Sequence, residues 1–150
     1  MLDFGCGCGR TLRWFNGSEP HLHGTDIDAE AIGWCQKNLH FADFEMNEGL
    51  PPLDYADETF DLIYAISVFT HLDEERQFLW LDELKRATKP GGIVLLTVHG
   101  EHARKVLPDE EAREVEQNGF KFVVSDSMRG SLNCGSLSCI RITLLLICQQ

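Results

Sequence analysis

An α/β fold, doubly wound around a mostly parallel sheet with helices on both faces, is what this 150-residue sequence predicts. Three observations carry that expectation. Apolar segments of strand length alternate with segments of helical period through most of the chain. A glycine cluster, Gly5-Cys6-Gly7-Cys8-Gly9, links the first apolar segment to the next element. The segment Phe60 to Ser67 is almost continuously apolar, as suits a strand buried on both faces. The length is that of one domain, 1–150, and 43% apolar residues suffice for one core.

The elements follow in order. Met1 to Phe4 reads as the last part of a buried strand with no lead-in, which leaves open a truncation before the first strand. A short helix is expected over Thr11 to Phe15 and a strand over His21 to Thr25. Asp28 then caps a helix carrying Ala31, Ile32, Trp34, Cys35 and Leu39 at helical spacing. A weak strand near Phe41 to Met46 precedes a loop, Asn47 to Thr59, interrupted by Pro51 and Pro52. After the strand Phe60 to Ser67, Asp73 caps a helix from Glu74 to Thr88. Its apolar stripe is Phe78, Leu81 and Leu84 with Trp80 beside it, and charges fill the other side. Pro90-Gly91-Gly92 ends that helix, and Ile93 to Val98 forms the next strand. Pro108 opens a helix with Glu110, Glu111 and Glu114 that stops at Asn118-Gly119. Phe120 to Val124 and Ser138 to Ile147 read as closing strands. Right-handed crossovers place the first and fourth strands side by side, and ligands of such sheets bind beyond the strand ends at that switch point.

Charge and composition narrow the partners. A net charge of −11 repels phosphate backbones and anionic lipids, which disfavours nucleic acid and membrane surfaces. No apolar run approaches the ~20 residues that span a bilayer, and no basic-then-apolar leader is visible. The six cysteines are read as reduced thiols of a cytoplasmic protein, because Cys6 and Cys8 sit among glycines and Cys35 in a helical pattern. Cys6-x-Cys8 lacks the C-x-x-C spacing of zinc sites, so no metal is expected.

The glycine turn suits a ligand that approaches the backbone, next to a helix with free N–H groups. Its spacing is G-x-G-x-G, with Arg10 where a dinucleotide fold places its third glycine. Asp3 adds a carboxylate that repels a diphosphate but accepts hydrogen bonds from an ammonium group, which favours a ligand with an amino-acid moiety. Asp26 ends the second strand 21 residues after Gly5, the separation at which an acid grips ribose hydroxyls. Asp28 is read as a helix cap alone.

LDFGCGCGR, GTDIDAEAI, LPPLDYADETFDLIYAISVFTHL and ELKRATKPGGIVLLTV, in this order, resemble the class I S-adenosylmethionine-dependent methyltransferases. The resemblance covers Leu2 to about Val98 and runs more loosely to Gly130. It implies a Rossmann-like, seven-stranded sheet with one antiparallel strand near the C-terminus, and S-adenosyl-L-methionine lying across the strand ends. Residue by residue, Asp3, Gly5, Gly7 and Gly9, with Cys6 between them, match the motif that holds the methionine half. Asp26 matches the ribose acid and Ile27 the apolar residue against the adenine. Asn47 or Glu48 falls in the loop that contacts the adenine edge, and Ala65 and Ile66 approach the methionine and sulfonium. His71 faces the substrate side as a candidate general base, with packing or gating as its other role. His99 and His102 are further candidates for the same mouth, whereas His21, His23 and His40 are read as solvent-side residues. Ser131 to Gln150 is atypical of the family. The expected activity is in-line methyl transfer to a small-molecule acceptor. A non-catalytic cofactor-binding or interaction domain is the alternative, and an NAD-linked oxidoreductase is disfavoured by Arg10.

Overall fold

The computed structural model describes residues 1–18, 21–98 and 108–118. Among the described residues five strands form one parallel sheet: β1 (Leu2–Phe4), β2 (His23–Asp26), β3 (Asp43–Met46), β4 (Phe60–Ala65) and β5 (Thr88–Leu96). Their order is β3-β2-β1-β4-β5, so β1 lies between β2 and β4 and the chain reverses its direction of travel there, as expected. Three helices accompany them among the described residues, α1 (Ala29–Asn38), α2 (Glu74–Ala87) and α3 (Asp109–Asn118), with 3-10 turns at Leu12–Phe15 and Phe69–His71. The expected closing strands, the antiparallel strand, His99, His102 and the tail 131–150 lie outside the described residues.

Strand alternation divides the core between the two faces. Leu2, Phe4, Ile63, Ala65, Val94 and Leu96 meet Trp80, Leu84 and Ala87 of α2 on one side. Met1, Leu22, Phe44 and Tyr64 meet Leu12, Ile32 and Cys35 on the other. The starts of α1 and α2 are capped as the sequence predicts. Asp28 accepts from Glu30 N and Ala31 N, and Asp73 from Arg76 N.

Several expectations need correction. The short helix after the glycines is a 3-10 turn over Leu12–Phe15. The second and third strands begin two residues later than expected, at His23 and Asp43. The fourth ends at Ala65, not Ser67. The helix α2 ends at Ala87, within a residue of the expected end near Thr88, but Pro90-Gly91-Gly92 is not what ends it. The reason is pairing: Thr88 is already in register with Phe60, and Leu62 next pairs with Ile93. The residues between Thr88 and Ile93 bulge out of a strand that has already begun, and β5 ends at Leu96 rather than Val98. On α2 the stripe is rotated. Trp80, Leu84 and Ala87 are buried with Glu83 beside them, whereas Phe78 is 62% exposed. His23 is not a solvent-side residue; it packs edge-on to Tyr55 and Phe60, with centroids 5.6 and 5.3 Å away. Burial accordingly lowers its pKa.

Glu83 is 6% exposed and fastens the proline-containing loop to α2. Its Oε1 accepts from Leu53 N at 2.7 Å and from Arg86 Nη2 at 2.6 Å, while Arg86 Nη1 donates to Asp57 at 2.6 Å. Arg86 holds the Glu83 carboxyl below the usual carboxylate value. Glu83→Gln keeps the shape but leaves the Arg86 charge poorly matched, so it should destabilise the chain by about 2–4 kcal/mol at pH 7. A carboxyl depressed by folding stabilises above its ordinary value of 4.5 and loses that contribution as pH falls below it. Denaturant unfolding of both proteins should therefore show the gap closing below that pH; equal stability at pH 7 contradicts the assignment.

Candidate functional site

The carboxyl ends of β1, β2 and β4 meet around the glycine turn, and β2 fixes its shape. Gly5 N and Cys6 N both donate to Thr25 O, at 2.8 and 2.9 Å, and Gly9 N closes on Cys6 O at 2.9 Å. Gly7 N donates to Asp26 Oδ2 at 2.7 Å, while Asp26 Oδ1 accepts from Asp28 N at 2.9 Å. Each carboxylate oxygen keeps a further lone pair for a ligand. Gly5 has φ +78°, and Val68 occupies the place any side chain there would take. Gly7 has φ +51° with open space where a Cβ would stand, a cradle that a ligand backbone contact can use. Arg13 Nη2 donates to Cys8 O at 3.1 Å and its guanidinium lies 5.2 Å from the Trp34 ring centre, tying the turn to α1.

Asp3 lies beneath this turn and is 3% exposed. Among the described residues its Oδ2 has no hydrogen bond of full geometry. Burial pushes its pKa up to about 6, restrained by the Tyr64 hydroxyl and assisted by the Asp26 charge. A buried carboxylate with an open acceptor is matched by a ligand that brings a positive donor, and an anionic phosphate does not supply one. The Cys6 thiol belongs to the core cluster with Leu12, Ile32 and Cys35, and burial raises its pKa. The Cys6 and Cys35 thiols both donate to Gly7 O, at 3.5 and 3.4 Å, so Cys6 supports the turn from within.

The other candidates are placed around this centre. Ile27 is 41% exposed immediately after Asp26. Asn47 N donates to Asp26 O at 3.1 Å, its amide donates to Glu48 O at 2.8 Å, and Glu48 itself is exposed. Ala65 is buried in the core and Ile66 is exposed beyond it. His71 ends the 3-10 turn that follows Val68; its N–H donates to Val68 O at 2.9 Å, and its side chain is exposed. The sequence reading overlooked Ser67, whose φ of +63° is rare outside glycine. Its N–H donates to Thr97 Oγ1 at 2.7 Å, which holds the strained bend against the end of β5. No composition or spacing rule exposes that conformation. Tyr64 was overlooked too, because within an apolar run it reads as core.

A family model described as a methyltransferase domain matches residues 2–96. Malonyl-[acyl-carrier protein] O-methyltransferase of Erwinia billingiae is 32% identical over 97 residues, covering 65% of this chain and 38% of that protein. The tRNA (carboxymethyluridine(34)-5-O)-methyltransferase of Arabidopsis thaliana is 36% identical over 101 residues, covering 65% of this chain and 23% of that one. Among solved structures, a S-adenosylmethionine-dependent methyltransferase from Methanosarcina mazei superposes with a TM-score of 0.64 at 20% identity, covering 91% of this chain and 71% of that one. The fold is that of a Rossmann-like methyltransferase core. This chain belongs to the class I S-adenosylmethionine-dependent methyltransferase family, and S-adenosylmethionine is its cofactor. It spans about a third of the length of the curated relatives first matched, between 30 and 38%.

The buried Asp3 carries a cost without ligand. Its folded pKa exceeds its ordinary value of 3.8, so it destabilises the chain above about pH 6, and that cost disappears as pH falls toward 3.8. Asp3→Asn should therefore stabilise the ligand-free chain at pH 7.5 by on the order of 3 kcal/mol, since each pKa unit is worth ~1.4 kcal/mol. The gain should vanish near pH 4. Thermal unfolding across that range checks it; a variant less stable than the parent at pH 7.5 contradicts the open-acceptor description.

Proposed function

We propose that this chain is a single-domain methyl-transferring core, residues 1–150, acting on a small-molecule acceptor in the cytoplasm. The observation that carries the cofactor end of this reading is the buried Asp3 carboxylate with an open acceptor beneath a glycine turn. Asp3 takes the ammonium of the cofactor's amino-acid half, and the backbone around Gly5, Gly7 and Gly9 accommodates that half closely. The Cys6 thiol holds the turn from the core side. Asp26 uses its spare lone pairs for the ribose hydroxyls, Ile27 packs on the adenine, and Asn47 or Glu48 meets the adenine edge. Ala65 and Ile66 face the methionine portion, and His71 stands on the acceptor side as general base or gate. When bound, S-adenosylmethionine supplies a sulfonium methyl open to in-line attack by an oxygen, nitrogen or carbon of the acceptor. The protein's share is proximity and alignment.

A net charge of −11 supports a small acceptor over nucleic acid. Relatives vary in this respect: norajmaline N-methyltransferase of Rauvolfia serpentina and tRNA N(3)-cytidine methyltransferase METTL2 of Gallus gallus both resemble the chain. The free thiols of Cys6, Cys8 and Cys35 support a reducing compartment, and among the described residues no helix is long and apolar enough to cross a membrane.

Asp26→Ala removes both a ribose contact and the anchor of Gly7 N. It should weaken S-adenosylhomocysteine binding by on the order of 1.5–3 kcal/mol. Calorimetric titration of a variant whose thermal unfolding remains cooperative measures this, and an unchanged affinity rejects the role.

A further inference from the structure

Asp3 and Tyr64 are register partners across the β1–β4 pair, so both side chains leave the same face of the sheet. Both are almost fully buried, at 3% and 4% exposure. Among the described residues neither Asp3 Oδ2 nor the Tyr64 hydroxyl forms a hydrogen bond of full geometry, and the two groups interact with each other. Two such polar atoms facing one another in a core are unusual, because each one costs stability unless something later uses it. The Phe15 ring lies 6.0 Å from the Tyr64 ring and packs against it. The remaining residues of this cluster are mostly apolar.

The groups around Asp3 come from every neighbouring element. Asp26 faces it from β2, Cys6 from the glycine turn, Cys35 from α1 and Tyr64 from β4. The Asp26 charge opposes a charged Asp3, and Tyr64 favours it. We propose that Tyr64 is a positioning residue for the cofactor's ammonium group: its hydroxyl donates to the Asp3 carboxylate and turns it toward the ligand entering above. This rests on the reading of Asp3 as the ammonium contact. Tyr64 touches no ligand itself, and it acts only through Asp3.

Four proteins test this: the parent, Y64F, D3N and the double variant, each titrated with S-adenosylhomocysteine between pH 5 and 8. Y64F keeps the ring and removes only the buried hydroxyl, so the fold is retained, which thermal unfolding verifies. Parent affinity should be flat above pH 7 and fall toward tenfold per pH unit below about 6, where Asp3 takes up a proton. In Y64F that fall should begin at higher pH, with about 5–20-fold weaker binding at pH 7.5. D3N should lose the pH dependence, and adding Y64F to it should change affinity less than twofold. A Y64F profile that superposes on the parent's, or an equal loss from Y64F in both backgrounds, overturns the role of Tyr64 while leaving Asp3 in place. Identical affinity and pH profile for the parent and D3N overturn the reading of Asp3, and the inference with it.

Discussion

The hold of β2 on the glycine turn is the interaction on which the site depends. Thr25 O takes two N–H groups of the turn and the Asp26 carboxylate takes a third. These contacts exist because Leu2, Asp3 and Phe4 pair in parallel register with His23, Gly24 and Thr25, which brings both strands to an end at the same level. Asp26 therefore has two duties at one position. It fixes the backbone of the glycine turn and, in the proposed function, offers lone pairs to the ribose. The same carboxylate also steadies the start of α1 through Asp28 N, so turn, strand and helix share one anchor.

Beneath that anchor the molecule carries a cost. A carboxyl at 3% exposure with an open oxygen lowers the stability of the ligand-free chain. The compensation lies elsewhere, in the two-sided core and in the Glu83–Arg86 pair that secures the loop after β3. In the proposed function that arrangement is a preformed site, and the scaffold absorbs the penalty.

Much of this was legible in the residues. Alternation of strand and helix gave the sheet, the capping acids Asp28 and Asp73 marked two helix starts, and the separation of Gly5 from Asp26 placed that acid against the glycine turn. What the sequence concealed depended on tertiary contacts. Thr88 joins the sheet because Phe60 is opposite it, a pairing that no local pattern around Pro90 reveals. Glu83 looks like any helix-surface acid until Leu53 N and Arg86 converge on it. His23 looks polar until Tyr55 and Phe60 enclose it. The bend at Ser67 is a backbone conformation, invisible in side-chain chemistry.

The central claim is that the strand ends form a site for a nucleoside carrying an ammonium-bearing amino-acid end. Parallel calorimetric titrations of the whole chain with S-adenosylhomocysteine and with NAD at pH 7.5 test it most directly. The account predicts saturable one-to-one binding of S-adenosylhomocysteine and none of NAD, whose diphosphate meets the Asp3 charge. Binding of NAD as tight as that of S-adenosylhomocysteine, or no binding of S-adenosylhomocysteine by a folded chain, would contradict it.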